Sequence, residues 1–382
     1  MKYITETTEK AIEKQFRDDI ARGDYFGAAA SVCQGSRRIT VLCGEQDPRT
    51  HQPITERTLF RLASMSKPIT GCAVLRQVEK GKLSLDEEIR RYFPWIDGMK
   101  IGKLLPDGTP TVIGTASAPI TVRQLLNHSS GLLSGELRGQ YDLIDPQRRA
   151  TLEASVSVFG ETLLEFEPGS RHSYSSVGAY DVLSRLVELS SGYDFETYLQ
   201  KEICAPLGMK DTTFLPTPEQ FSRLSVMCDR DSKGVSYPHV GEPAHLFKTI
   251  PPTCFSGGAG LASTLHDYTR FAQMLLGGGR LEDTEILRPE TFAHFFEPAS
   301  LIGDWDYSWI FGLSMRYVVG PNRLPRGSFG WSGAYGPHFF VDPENGLCAV
   351  FLKNSFIDGG AGTVTTERYE EAVEKTLSEK EK

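Results

Sequence analysis

The chain contains one Ser-x-x-Lys sequence, Ser64 to Lys67, in the segment LFRLASMSKPITG. An apolar stretch meets a helical pattern here, and residues three apart share one face of a helix. The hydroxyl and the amine would therefore lie close enough for proton transfer, which a serine nucleophile requires. Lysine accepts a proton only when it is neutral, and the apolar neighbours Leu62, Ala63 and Met65 allow the burial that favours this form. The segment predicts a serine nucleophile, and its structural alternative is a helix cap followed by a solvated lysine.

A tyrosine in the segment FEPGSRHSYSS is a candidate proton carrier. Tyr174 follows a Pro-Gly turn and precedes the pattern of an amphipathic helix. Beside a lysine ammonium, a tyrosine can move a proton between a nucleophile and a leaving group. For any single tyrosine, a buried ring with a hydrogen-bonded hydroxyl is the alternative.

A glycine at a predicted strand edge could supply backbone donors. Trp331, Ser332, Gly333 and Ala334 open a predicted hairpin in FGWSGAYGPHFF. Glycine at such an edge lets backbone amides approach a substrate and stabilise an oxyanion. A simple glycine-rich turn is the alternative.

The pattern of apolar residues divides the chain into two kinds of region. Strand patterns and amphipathic helices occur near both ends, whereas the middle shows mainly helical segments broken by Pro and Gly. A sheet assembled from the two ends around an inserted helical unit would produce this order. We therefore predict an α+β fold with a sheet domain from residues 1–85 and 252–382 and a mainly helical inserted domain from residues 86–251. The predicted elements are helices at 6–22, 64–79, 122–126, 178–190, 195–203, 265–276 and 365–377, and strands at 26–34, 38–43, 311–319, 338–341 and 347–352.

Composition and charge narrow the class of protein. The 382 residues carry a formal net charge of −8 at pH 7, which gives no reason to expect a nucleic-acid partner. An acidic N-terminus and the lack of a long apolar run argue against a signal peptide or a membrane partner, so we predict a cytoplasmic protein. The seven cysteines include no Cys-x-x-Cys pair and the eight histidines no His-x-x-x-His pair. Reduced thiols are therefore expected, and neither a metal nor a cofactor is.

Taken together, in this order and at these separations, the three segments resemble the penicillin-recognising serine hydrolases. That group includes class C β-lactamases, the β-lactamase-like family VIII carboxylesterases and D-amino-acid peptidases. The resemblance covers nearly the whole chain and extends to ITVRQLLNHSSGL, APLGMKDT and SGGAGLASTLHDYTRFAQMLLGGG. It implies a β-lactamase/transpeptidase-like fold, in which an antiparallel sheet is flanked by helices and the active site lies in the cleft between the sheet domain and the inserted domain.

The resemblance also implies roles for individual residues. Ser64 would be acylated with the help of Lys67, and Tyr174, at the tyrosine of a Tyr-x-Asn motif, would be the general base. Residues 331–333 stand where β-lactamases have Lys-Thr-Gly, and Ala334 would pair its N–H with that of Ser64 as the oxyanion hole. The implied reaction is acylation of Ser64 followed by hydrolysis with water.

Two positions depart from the family's pattern. Ser176 replaces the Asn of the second motif and Trp331 replaces the Lys of the third, so neither side chain supplies the carboxamide or the cation that holds a β-lactam. A Trp-x-Gly third motif resembles the esterase branch, which predicts a carboxylesterase acting on small esters. Arg316 or Arg323 could supply charge from elsewhere. A β-lactamase or a D-alanyl carboxypeptidase-like or other D-amino-acid peptidase is the alternative substrate class, and a non-catalytic ligand-binding relative is the alternative of another kind.

Other functional assignments find less support in the sequence. A Ser-His-Asp α/β-hydrolase would carry Gly-x-Ser-x-Gly, and the nearest approach, residues 330–334, fails at its last position.

The expected partner is a small ester or amide, and the sequence carries no signal of oligomeric state. Three histidines beside the motif segments are predicted to be structural: His128, His172 and His338. Four aromatic residues are candidates to line an acyl or alcohol pocket: Tyr141, Trp309, Phe311 and Tyr335.

Overall fold

The computed structural model describes residues 1–239, 253–299 and 308–379. The helices are α1 Glu6–Ala21, α2 Ser66–Glu79, α3 Val122–Leu126, α4 Gln140–Leu143, α5 Leu152–Ser157, α6 Gly178–Ser191, α7 Phe195–Leu199, α8 Ala205–Leu207, α9 Pro218–Ser222, α10 Leu265–Leu276, α11 Pro289–Phe292 and α12 Val364–Glu374. The strands are β1 Gly27–Gln34, β2 Arg37–Asp47, β3 Gln52–Pro53, β4 Leu59–Arg61, β5 Lys100–Leu104, β6 Pro110–Thr115, β7 Met227–Arg230, β8 Ser236–His239, β9 Ala262–Thr264, β10 Arg280–Leu281, β11 Thr284–Glu285, β12 Trp309–Phe311, β13 Arg316–Val318, β14 Phe329–Ser332, β15 His338–Asp342 and β16 Leu347–Lys353.

The main sheet joins strands from the two ends of the chain. Its order is β12-β13-β14-β15-β16-β1-β2-β3, so that β16 pairs with β1 near its centre. These pairs are antiparallel, with Cys33 opposite Cys348 and Ser332 opposite His338. Strands β1 and β16 are buried along nearly their whole length because α1 and α12 pack on one face of the sheet and α2 and α10 on the other. The predicted α+β fold with an antiparallel sheet flanked by helices is confirmed.

Helix α2 is buried on almost every side, because it packs between the sheet and α6. Small residues such as Gly71, Cys72 and Ala73 allow this close packing. A 3₁₀ turn, Ala63–Met65, precedes the helix and holds Ser64 at its entrance. The core thus fixes the position of the helix end that carries the candidate nucleophile.

Several elements differ from the predicted ones. The prediction of one strand over 311–319 is wrong, because β12 and β13 form a hairpin whose turn includes Ser314 at a φ of 59°. The predicted helix over 195–203 ends as α7 and continues as a π-helical turn, Gln200–Cys204. The hairpins β5–β6 and β7–β8 were not predicted within residues 86–251.

The division into a sheet domain and an inserted domain remains a prediction. Its second boundary, at residues 251 and 252, lies outside the described residues. Among the residues that are described, no helix is both long enough and apolar enough to cross a membrane.

Candidate active site

Ser64 lies in a strained turn at the entrance to α2. The preceding residue, Ala63, has a φ of 46°, a left-handed conformation that costs a residue with a side chain about 1–2 kcal/mol. The turn is held from both sides, since the Leu62 N–H donates to the Leu261 carbonyl at 2.9 Å and the Tyr268 hydroxyl to the Met65 carbonyl at 2.9 Å. Ser64 itself is half-buried between buried neighbours, so that its hydroxyl is oriented yet accessible.

Lys67 is fully buried, with 0% of its surface exposed, and its amine has three acceptors. Nζ lies 3.3 Å from Ser64 Oγ, 2.6 Å from the Ser176 carbonyl oxygen and 2.8 Å from the Gly258 carbonyl oxygen. An ammonium group has three hydrogens, so these contacts satisfy the charged form completely. The arrangement places a positive charge beside the candidate nucleophile.

Tyr174 makes the shorter contact with Ser64. Its hydroxyl donates to Ser64 Oγ at 2.8 Å, and Lys67 Nζ lies 5.0 Å from the centre of its ring. The ring packs at 4.7 Å from His128 and 6.3 Å from Trp331. The hydroxyl contact at 2.8 Å is short enough for Tyr174 to exchange a proton with Ser64.

The turn after β14 lies against the Ser64 turn. A Cβ on Gly333 would lie 2.2 Å from the Leu62 carbonyl oxygen, so only glycine permits this approach. The next residue, Ala334, is exposed, and its N–H donates to no acceptor in the part of the chain that the structure describes. The Ser64 amide, in the first turn of a helical segment, precedes the first intrahelical acceptor. Both amides are thus available to a substrate oxygen.

Of the other predicted binding residues, Ser176 contacts Lys67, whereas Trp331 and Ser332 lie on strand β14. Ser176 contributes its backbone carbonyl to Lys67. Trp331 is 4% exposed and packs its ring 5.5 Å from that of Phe311. Ser332 is 7% exposed, and its hydroxyl is hydrogen-bonded to His338 Nδ1 at 2.8 Å. Its side chain is therefore engaged within the sheet.

Two cavities are lined by residues that the sequence analysis named as candidates. The larger, about 1000 Å³, reaches Ser176 and Val177 and is also lined by Tyr141 and residues of the β5–β6 hairpin. The smaller, about 370 Å³, is lined by Trp309 and Phe311 among others. Tyr335 instead packs edge-on against Phe356 at 5.4 Å. No group of three or more His, Cys, Asp or Glu residues within the described ranges could hold a metal ion.

Comparison with known proteins assigns the family. The family model described as Beta-lactamase matches residues 11–374. The chain belongs to the Beta-lactamase family. Protein Rv1367c of Mycobacterium tuberculosis is 30% identical over 373 residues, covering 89% of this chain and 88% of that protein. Esterase EstB of Burkholderia gladioli is 28% identical over 344 residues, covering 84% of each.

A solved structure extends the comparison to the fold of this Beta-lactamase family member. EstCE1, described as a hydrolase with promiscuous acyltransferase activity, superposes with a TM-score of 0.79 and 26% identity, covering 96% of this chain and 98% of that one. The resemblance found in the sequence and the prediction of a serine hydrolase enzyme are confirmed.

Two further residues of this family member were not singled out as site residues from the sequence. Asp181, on α6, accepts a hydrogen bond from Ser256 Oγ at 2.6 Å, and its Oδ2 has no partner among the described residues. Burial raises the pKa of Asp181 to about 7. Gly258 supplies an acceptor to Lys67 and leaves no room for a side chain beside Val177. The glycine-rich run SGGAG was the available signal, because close backbone approach requires glycine.

The histidines beside the motif segments take part in packing and hydrogen bonding. His128 Nδ1 accepts a hydrogen bond from the Ser175 N–H at 3.2 Å, and burial lowers the pKa of His128 well below its ordinary value. Burial also lowers the pKa of His172, to about 4. Both rings are therefore neutral at pH 7. His128 packs 4.7 Å from the Tyr174 ring, and His172 packs 4.5 Å from the Phe311 ring.

Proposed function

We propose that this protein is a carboxylesterase that transfers the acyl group of a small ester to Ser64 and then to water. The observation that carries the proposal is the 2.8 Å contact between Ser64 Oγ and the Tyr174 hydroxyl beside the buried ammonium of Lys67. The esterase EstB and the hydrolase EstCE1, both similar along most of their length, support an ester as the substrate.

Acylation would proceed by proton transfer through Tyr174. The deprotonated form of Tyr174 would accept the Ser64 proton as Oγ attacks the ester carbonyl carbon. The negative charge that develops on the carbonyl oxygen is stabilised by the amides of Ser64 and Ala334. The bond to the alcohol oxygen then breaks, and Tyr174 returns the proton to that oxygen, leaving an acyl group on Ser64.

Deacylation would reverse these roles. A water molecule in the place of the departed alcohol gives a proton to Tyr174 and attacks the acyl carbon. The bond between this carbon and Ser64 Oγ breaks, Oγ recovers the proton and a carboxylic acid leaves. Lys67 would position Ser64 Oγ in both steps, because its amine contacts that atom and two main-chain carbonyl oxygens.

The side chains around the nucleophile favour esters over β-lactams and D-alanyl amides. Trp331 places an indole where β-lactamases have a cation, and Ser176 turns its backbone carbonyl toward Lys67. The larger cavity, which begins at Ser176 and Val177, offers a volume of about 1000 Å³ for a small acyl group. A penicillin-type substrate would therefore find neither the cation nor the carboxamide that the second and third motifs supply in β-lactamases.

A covalent probe tests the nucleophile. A fluorophosphonate reacts with an activated serine, so intact mass should show one adduct on the wild type and none on Ser64→Ala. The control is Ser66→Ala, which changes a neighbouring serine whose hydroxyl accepts from the Leu261 N–H at 3.1 Å. The Ser66→Ala protein should still be labelled. An adduct that persists on Ser64→Ala would disprove the assignment.

A substrate panel tests the class of substrate. Short-chain p-nitrophenyl esters, a chromogenic cephalosporin and D-alanyl amides would be compared on one preparation. We expect turnover of the esters to exceed that of the other two in kcat/KM. Turnover confined to the amides would replace the proposal with a peptidase.

A further inference from the structure

Two consecutive polar side chains are buried at the end of β16. The strand ends at Lys353, and Asn354 follows it. Lys353 is 0% exposed and Asn354 is 2% exposed. Burying an amine and a carboxamide is unfavourable unless both find polar partners. The partners of these two residues belong to the two turns that carry the oxyanion amides, or to a segment packed against one of them.

Asn354 pairs with the backbone of the strand that leads to the nucleophile. Its Oδ1 accepts from the Arg61 N–H at 3.0 Å, and its Nδ2 donates to the Arg61 carbonyl at 3.1 Å. Arg61 is the last residue of β4, and Leu62 and Ala63 join it to Ser64. The carboxamide acts here as a neighbouring strand would, since it offers the same donor and acceptor as a peptide group. Asn354 thus fixes the backbone from which the nucleophile turn begins.

Lys353 supports the turn that carries the second oxyanion amide, that of Ala334. A Cβ on Gly336, in this turn, would collide with Lys353 Cε, so the lysine stem packs directly against the turn. Lys353 Nζ donates to the Thr365 hydroxyl at 2.7 Å and to the Asp358 carbonyl. The amine therefore holds the segment that follows β16 close to the sheet.

The segment held by Lys353 contacts the same turn. The Gly360 N–H donates to the Gly333 carbonyl at 3.0 Å, and a Cβ on Gly359 would collide with the Ala334 carbonyl oxygen. Only glycine permits this approach of one backbone to another. The turn is thus held by the lysine stem and by this pair of glycines.

We propose that Lys353 and Asn354 are positioning residues that together set the separation of the two oxyanion amides. The inference rests on the proposed esterase function and deepens it. Asn354 fixes the side of Ser64 and Lys353 the side of Ala334, and consecutive Cα atoms are held about 3.8 Å apart, so the link between the turns is short and stiff. Donors stabilise an oxyanion only within about 2.7–3.1 Å of it, so a small change in their separation weakens both hydrogen bonds in the transition state.

Two variants remove one link each. Asn354→Ala deletes the carboxamide, and Lys353→Met deletes the amine while keeping a stem to pack against Gly336. We expect kcat for p-nitrophenyl acetate to fall about 10- to 100-fold in each variant, with KM near the wild-type value, because the affected hydrogen bonds act in the transition state. Phenylboronic acid forms a tetrahedral adduct on a serine oxygen, so its Ki should rise by a similar factor.

Asn345→Ala is the matched control. Asn345 is also buried, at the opposite end of β16, where its carboxamide accepts from the Lys2 N–H at 2.7 Å and donates to the Asp342 carboxylate at 2.6 Å. Its loss should lower the free energy of unfolding, as Asn354→Ala does, yet leave kcat and the Ki of the boronic acid unchanged. This combination separates positioning of the oxyanion amides from a contribution to stability alone.

If Asn354→Ala did not fold, Asn354→Ser would replace it in the comparison, because its hydroxyl can restore one of the two hydrogen bonds to Arg61, and a smaller loss of kcat is then expected. Wild-type kcat in either folded variant, or a rise in KM alone, would overturn the proposal while leaving the esterase intact. A wild type that neither hydrolysed the ester nor bound the boronic acid would instead contradict the proposed function.

Discussion

Two proton-carrying side chains reach Ser64, and their hydrogen bonds give them different tasks. The Lys67 amine contacts three acceptors, whereas the Tyr174 hydroxyl donates to Ser64 Oγ at 2.8 Å. Replacing Tyr174 with Phe removes the phenol oxygen and keeps the ring between His128 and Trp331. We expect kcat for p-nitrophenyl acetate to fall about 100- to 10,000-fold, the usual contribution of a general acid–base group.

The matched control is Tyr92→Phe, which removes a hydroxyl that bonds to Glu87. It should keep the wild-type rate, and circular dichroism should show that both variants fold. A Tyr174→Phe variant with near wild-type kcat would mean that Lys67 is the base after all.

At this scale, the sequence allowed the side chains to be predicted but not their backbone partners. Residue type and spacing pointed to Ser64, Lys67 and Tyr174, which the structure brings together. The acceptors of Lys67 are main-chain carbonyls, which every residue possesses, so no residue type could mark Ser176 for this contact. The left-handed conformation of Ala63 could not be predicted either, because alanine normally avoids this conformation.

At the scale of elements, the contact of the β14 turn with the α2 entrance decides whether the oxyanion donors meet. A methyl group in Gly333→Ala would collide with the Leu62 carbonyl oxygen at 2.2 Å and push Ala334 away from Ser64. Since one oxyanion donor is worth about 100-fold or more in kcat, we expect a loss of at least that size in ester hydrolysis. Gly114→Ala adds the same methyl where no atom lies within 4 Å, and should be as active as the wild type. Equal rates for the two variants would show that the turn at Gly333 does not contribute to catalysis.

Long periodic elements were predictable, and short paired ones were not. The helix predicted at 265–276 has the same bounds as α10, because the spacing of apolar residues in an amphipathic helix is visible in its own sequence. The run at 311–319 has the pattern of one strand, yet Gly312 packs so tightly on the Phe295 carbonyl that the chain turns there and forms β12 and β13. That turn depends on contact with Phe295, which is distant along the chain, and a local pattern of apolar residues carries no information about such a contact.

At the scale of the whole molecule, the sheet closes when β1 meets β16, and the candidate site forms where this sheet and the helices of residues 86–239 come together. Strand patterns at both chain ends indicated that the ends share a sheet. The pairing order did not follow from them, because many orders satisfy the same pattern. Lys67 shows the result directly, since its acceptors come from residues 64, 176 and 258, which are widely separated along the chain.

Asp181 links the same distant segments and makes the stability of the molecule depend on pH. Burial raises the pKa of Asp181 from 3.8 to about 7, so the folded carboxyl keeps its proton between about pH 4 and 7, where the unfolded one releases it. The free energy of unfolding should therefore fall as the pH rises through this window, by about 1.4 kcal/mol for each pH unit.

Asn cannot ionise and can still accept from Ser256, so Asp181→Asn should gain stability over the wild type between pH 4 and pH 8. Urea unfolding at a series of pH values measures the difference, and Asp283→Asn, which removes an exposed carboxyl, is the control. Parallel curves for the wild type and Asp181→Asn would show that the buried carboxyl titrates alike in the folded and unfolded chain. A widening gap would identify Asp181 as a group that is protonated in the folded protein.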